Sequence, residues 1–207
     1  MPWSDSLGSY RRAVSLGGYT LAAVLAGSEI VILALALHPN VSADYRAYYI
    51  DRTTTCLNRD ATGSYILGQT ISFRPDGAKE ASSIRVCGWS VPVDDGTHSW
   101  GETSRLRLKI PPLRNGLTAT LQMAAFIRPP QITQRVVISV NGVRVYEVTL
   151  SDKKPKTISF VIPHAALGNA KALEMAFDYL DGIPPSPGAS NIYKRSIKLV
   201  SFRLDAI

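Results

Sequence analysis

The sequence predicts an all-β protein: an antiparallel, jelly-roll-like β-sandwich preceded by one N-terminal transmembrane helix. Three observations carry this. One apolar run fills Leu16 to Leu37. Beyond residue 63, short β-branched and aromatic stretches alternate with Pro, Gly and Asp turns. No amphipathic helical stretch separates those strands, which excludes a βαβ architecture. The expected organisation is residues 1–15 as a cytoplasmic N-terminus and 16–38 as a transmembrane anchor or uncleaved signal. Residues 39–63 form a linker and the start of the exported domain, and 64–207 form the periplasmic β-sandwich.

The apolar run is 22 residues long with Glu29 as its only charge. A helix of that length reaches about 33 Å, enough for a hydrocarbon core of about 30 Å. Leu21, Val24, Leu25, Ile30, Val31, Ile32, Leu33, Leu35 and Leu37 point in every direction around it, so no polar face is offered to water. Arg11 and Arg12 precede the run and "HPNVSAD" follows it without Lys or Arg, which predicts a cytoplasmic N-terminus and export of the rest of the chain. "VSA" at 41–43 has the small-x-small character of a signal-peptidase site after Ala43. The run exceeds the 7 to 15 residues of a signal h-region, roughly, and so favours an uncleaved anchor. A carboxylate facing lipid would cost about 2.5–3.5 kcal/mol. Glu29, with Gly27 and Ser28, therefore marks a docking face for another membrane protein, or else a protonated carboxyl that the anchor tolerates.

The chain carries 23 Lys and Arg against 16 Asp and Glu, a net charge of +7. The exported part keeps all of it, so the basic balance is more than a topology signal. A solvated strand face accounts for scattered cations such as those of "RLRLKI", and a polyanion surface is the alternative; nucleic acid is disfavoured by compartment. Cys56 and Cys87 are the only cysteines, and in an oxidising compartment they are expected to form a disulfide. Two cysteines and the dispersed His38, His98 and His164 do not give a metal-ligand cluster, and no cofactor is expected.

In chain order, strands are expected at 65–73, 82–90, 104–110 and 117–128, then in "RVVISVNGVRVYEVTL", where Asn141-Gly142 is the dipeptide of a type I′ hairpin. Further strands are expected at 156–162, 172–180 and 195–205, with one short helical turn in "HAALGNAK".

Asp94, Asp95, Glu102, Asp178 and Asp181 are the acids from which a paired-carboxylate enzyme could be built. Asp in turns is ordinary, however, and no nucleophile elbow, zinc-protease, phosphate-loop or dinucleotide motif is present. The expectation is a protein that is not an enzyme. Aromatics are more suggestive. Trp89 and Trp100 flank a Gly/Asp-rich loop, and Tyr179 and Tyr193 bracket "LDGIPPSPGASNI". Exposed rings beside carboxylates suit a sugar, whose C–H faces stack and whose hydroxyls need acceptors. Trp89, Trp100, Asp95, Tyr179, Asp181 and Tyr193 form the candidate glycan-facing set; the alternative is that the tryptophans plug the ends of the sandwich.

"VCGWSVPVDDGTHSWGETSRLRLKIP", "VVISVNGVRVYEVTL", "KTISFVIP" and "LEMAFDYLDGIPPSPGASNIYKRSIKLVSFRL" resemble, in that order, the carboxyl-terminal β-sandwich domain of bacterial membrane glycosyltransferases and phosphoglycerol transferases of envelope-polysaccharide pathways. The resemblance covers residues 84–205. The chain lacks the multi-pass catalytic portion, and "SNIYKRSIKL" stands where that family has an acidic residue and an Arg before the last strand. The resemblance therefore implies a stand-alone accessory subunit. Its expected partners are the membrane, a multi-pass glycosyltransferase or other inner-membrane protein, and a polysaccharide; a purely structural subunit with no glycan ligand is the alternative.

Overall fold

The structure is a computed structural model that describes residues 5–37, 40–57, 62–168, 172–189 and 191–207, with side chains from Gly17 onwards. The side chains of Asp5, Arg11, Arg12 and Leu16, and residues His38, Pro39 and Ser190, lie outside the described residues. The chain divides into two compact units, Met1–Ser42 and Ala43–Ile207.

In the first unit, helix α1 runs Asp5–Leu37 without a break. Its stretch Gly17–Leu37 is long and apolar enough to cross a membrane, and none of it is buried against protein. Glu29 is exposed on this helix, and Ser28 Oγ donates to Leu25 O at 2.7 Å, so the serine is satisfied by its own backbone.

The second unit opens with a short turn, α2 (Ala43–Tyr45), that continues through a π-helical turn at Arg46–Ile50. Strands β1 (Gly63–Ser64) and β2 (Thr70–Ser72) follow, then a 3-10 turn at Pro75–Gly77 and helix α3 (Ala78–Ile84). Next come β3 (Arg85–Cys87), β4 (Thr97–His98), β5 (Thr103–Lys109), β6 (Leu117–Ala125), β7 (Gln134–Val140), β8 (Val143–Leu150) and β9 (Lys156–Ile162). Helix α4 (His164–Leu167), β10 (Leu173–Tyr179) and β11 (Ile197–Ala206) complete the domain.

One sheet has the order β1-β5-β10-β7-β8 with β3 on β5, the other β2-β11-β6-β9 with β4 on β11. Among the eight strands of the main paths beyond β1, the second sheet holds the first, eighth, third and sixth in chain order and the first sheet the second, seventh, fourth and fifth. That is the wrapping of a jelly roll. Apart from the short parallel pair β1 and β5, the ladders are antiparallel.

The period-2 alternation explains the layers. Leu173, Met175, Phe177 and Tyr179 of β10 face inward and meet Leu117, Leu121 and Met123 of β6 and Phe202 and Leu204 of β11 in one core cluster. Each such burial contributes about 1.5–3 kcal/mol. Asn141 (φ 48°) and Gly142 (φ 81°) both sit in the left-handed region, as a type I′ turn requires, and join β7 to β8.

Two expected strands differ. Residues 82–84 belong to α3, because Ala81 and Ile84, three apart, both bury on one helical face, and the helix ends where Arg85 turns extended. Residues 65–73 break at Gly68 (φ 84°), where the chain folds back so that Tyr65 Oη accepts from Leu204 N at 2.8 Å. Cys56 and Cys87 form the expected disulfide, with Cα atoms 5.0 Å apart.

Candidate functional site

Strands β5, β7, β9 and β11 start, and β4, β6, β8 and β10 finish, at the same end of the sandwich. The long connections 88–102, 126–133 and 180–196 meet there. The tip Ser99–Glu102 is pinned by its own backbone: Trp100 N donates to Gly88 O (2.7 Å), Gly101 N to Lys194 O (2.9 Å) and Glu102 N to Thr53 O (2.8 Å). Glu102 O accepts from Tyr179 N at 2.9 Å. Gly101 is required here, since its φ is +90° and a Cβ would lie 2.4 Å from Thr53 O.

This rigid tip carries Trp100, half-buried and stacked on Tyr193 with ring centroids 6.3 Å apart and planes 20° from parallel. Trp100 borders a hollow of about 400 Å³ lined also by Tyr48, Thr55, Arg85, Trp89 and Ser90. Glu102 and Lys194, paired at 2.8 Å, border a second hollow of about 660 Å³ with Arg128, Gln131, Asp181 and Pro184. Arg128 holds the far loop in place, donating to Ser186 Oγ (2.8 Å) and Pro184 O (2.7 Å). The site thus combines a fixed aromatic platform with hydrogen-bonding groups of both kinds, the composition that a polar ligand with apolar faces requires.

The six residues singled out from sequence divide. Trp100, Tyr193 and Asp181 lie in this region. Trp89 does not present a face: it is 8% exposed, packs edge-on to Phe177 at 5.5 Å, and donates through Nε1 to Arg105 O at 3.1 Å. Tyr179 is likewise core, 5% exposed near the Ser99 and Ser104 hydroxyls, and desolvation pushes its phenol well above the ordinary range. Both rings are thus mostly buried, although Trp89 still borders the smaller hollow and Tyr179 the larger one. Asp95 lines neither hollow; it pairs with Lys198 Nζ at 2.5 Å.

Hydrogen bonding to Lys198 lowers the Asp95 carboxyl below its usual range, and hydrogen bonding to Arg135 does the same to Asp181. Arg135 grips Asp181 with its Nε and Nη2, each at 2.8 Å, as well as with its backbone N–H. Carboxylates so held are ionised and tied to cations, which is the reverse of what proton transfer near neutral pH needs.

Arg85, Arg128, Gln131 and Lys194 escaped the sequence reading. For Arg85 a signal was available: it is a lone charge in the otherwise weakly polar "SIRVCGW".

No family model and no curated protein matches the sequence. Among solved structures the chain is similar to a carbohydrate-binding module, CBM36, in complex with calcium and xylotriose, at 14% identity, 56% of this chain, 84% of that one and a TM-score of 0.37. It is similar to the sugar-binding C-terminal domain of EclA at 11% identity, 68% of this chain, 82% of that one and a TM-score of 0.36. A family GH115 4-O-methyl-α-glucuronidase, BtGH115A, matches at 10% identity over 69% of this chain and 18% of its own length, with a TM-score of 0.43. At these scores no residue or ligand carries over from them. The chain is a jelly-roll β-sandwich preceded by an apolar helix, and that helix together with the disulfide fits membrane anchoring with a domain in an oxidising compartment.

Proposed function

We propose that the protein is a non-catalytic, glycan-binding accessory subunit of a bacterial membrane complex for synthesis or export of cell-envelope or extracellular polysaccharide. It docks through α1 and presents its sandwich in the periplasm. The observation that carries the glycan reading is the pair Trp100 and Tyr193, stacked at 6.3 Å on a tip held by main-chain hydrogen bonds. A platform fixed before binding loses little entropy when a sugar ring settles on it. In the larger hollow, Glu102, Asp181, Gln131, Arg128 and Lys194 supply acceptors and donors for hydroxyls. The polysaccharide pathway comes from the motif order over residues 84–205, and the anchor supports a role at the membrane.

Full-length protein in mild detergent, applied to an array of bacterial envelope and extracellular glycans, tests this. Binding is expected, and Trp100→Ala is expected to weaken it about tenfold or more, the loss of one good stacking contact, with unchanged thermal unfolding. Retention of binding by Trp100→Ala would move the ligand elsewhere. An array that stays empty with a folded protein would leave the sandwich making protein contacts only.

A further inference from the structure

The smaller hollow contains a cation that the protein does not neutralise. Arg85 opens β3, and its Nη1 donates to Ser90 O at 2.6 Å. Its Nε is buried without a hydrogen-bond partner, and so is Nε1 of Trp100 on the same hollow. Among the described residues no carboxylate pairs with Arg85, and burial alone lowers its pKa from the ordinary arginine value. Three other cations of this end do have carboxylate partners, Arg135 with Asp181, Lys194 with Glu102 and Lys198 with Asp95, and Arg128 is taken up by Ser186 Oγ and Pro184 O. Around Arg85 stand apolar and aromatic walls, Val86, Trp89, Tyr48 and Trp100, and the bridged Cys87. Thr55 Oγ1 already accepts from Gly88 N at 2.6 Å, so its own hydrogen remains to be donated.

A surplus of donors around a partly desolvated positive charge selects for a group that accepts only. Sugar hydroxyls both donate and accept; a carboxylate only accepts, and it forks onto a guanidinium. A charge-assisted bond is also stronger where the walls exclude water.

We propose that this hollow binds the carboxylate of an acidic sugar, with Arg85 as its counter-ion, Thr55 as a further donor and Tyr48 and Trp100 as walls. The proposal rests on the glycan-binding reading above and names its ligand class: a polysaccharide containing uronate residues. Trp100, bordering this hollow and stacked on Tyr193, places the acidic residue beside the platform.

The test is titration of full-length protein in neutral detergent with galacturonate, glucuronate and mannuronate oligosaccharides and with the same oligosaccharides after reduction of their carboxyl groups. At least one uronate series is expected to bind about tenfold or more tighter than its reduced counterpart, the size of one charge-assisted contact, and to weaken as salt is raised. Arg85→Gln is expected to abolish that preference while neutral binding remains. Arg85→Lys, which keeps charge and stem, is expected to retain part of it and controls for any loss of fold. Equal binding of charged and reduced forms, or a preference that survives Arg85→Gln, overturns the proposal and leaves glycan binding standing. No binding by either form, with an empty glycan array, removes both. Binding to phosphatidylglycerol vesicles through Arg85, with none to any uronate, assigns the oxyanion to lipid and also overturns it.

Discussion

Trp89 and Trp100 occupy one stretch of chain and have opposite jobs. Trp89 lies between Phe73 (6.0 Å) and Phe177 (5.5 Å), so Trp89→Ala is expected to cost about 3–5 kcal/mol of stability, read as a shifted denaturant midpoint. A cost under about 1 kcal/mol would mean the ring is not part of the core. The sequence shows both as Trp beside Gly. A register shift between Arg85 and Cys87 precedes Trp89, and Trp100 follows a strand of only two residues, so neither ring's side can be counted from alternation. Tyr179 was more legible: "LEMAFDY" alternates strictly, and the period that buries Leu173, Met175 and Phe177 buries Tyr179 too. His98 is a third residue-scale case. Desolvation lowers its pKa from 6.5, with nearby Arg195 and Lys198 adding to the fall and Asp95 opposing it. Between the folded value and 6.5 the unfolded chain binds the proton that the folded one refuses, so stability is full above that window and falls as pH drops through it. Asp95 and Asp181, held below their ordinary 3.8, add a second loss at lower pH. The melting temperature is therefore expected to fall between pH 7.5 and 5.5, approximately the range of histidine titration, and His98→Gln to flatten that fall. An unchanged slope in the variant would assign it to another group.

At the scale of elements, local chemistry was readable and short helices were not. Asn141-Gly142 specified its hairpin because both turn residues need positive φ, and Lys156–Ile162 matches the expected strand to the residue. Helix α3 has only 7 residues, too few for a helical period to outweigh the β-branched look of "SIRV". The disulfide is the element that joins Thr53, Thr54 and Thr55 to the site, because it fastens Cys56 beside Gly88, whose N–H already bonds Thr55. With the cysteines 31 positions apart in sequence, replacing both by Ser is expected to cost about 3–4 kcal/mol in the chain-entropy account. The smaller hollow should loosen first, since Tyr48 and Thr55 line it and Glu102 hangs on Thr53. Amide exchange at residues 48–56 that rises in the double variant ahead of the β10 core would show this; uniform exchange across the domain would contradict it.

For the whole molecule, the jelly-roll-like class was legible and the pairing of individual strands was not: a sheet that sets the last strand between β2 and β6 is built from contacts far apart in sequence, which no local window contains. The anchor is the opposite case, written entirely in local composition, and Glu29 is its one discordant residue. It is the only charge in Gly17–Leu37, while Ser28 and Thr20 already bond backbone carbonyls at Leu25 and Gly17. The carboxyl is therefore the polar group in this span with most to gain from a neighbouring helix. Glu29→Leu removes an insertion cost of about 2.5–3.5 kcal/mol, so the variant is expected to insert at least as well as the parent. If Glu29 docks a membrane partner, that partner should vanish from protein purified from native membranes in mild detergent, although the variant still resists an alkaline wash. If the carboxyl is merely tolerated, the same partner co-purifies in the same amount. A chain recovered free of the membrane with its N-terminus at Asp44 would sink the docking role altogether, because Glu29 would then have left with an export signal.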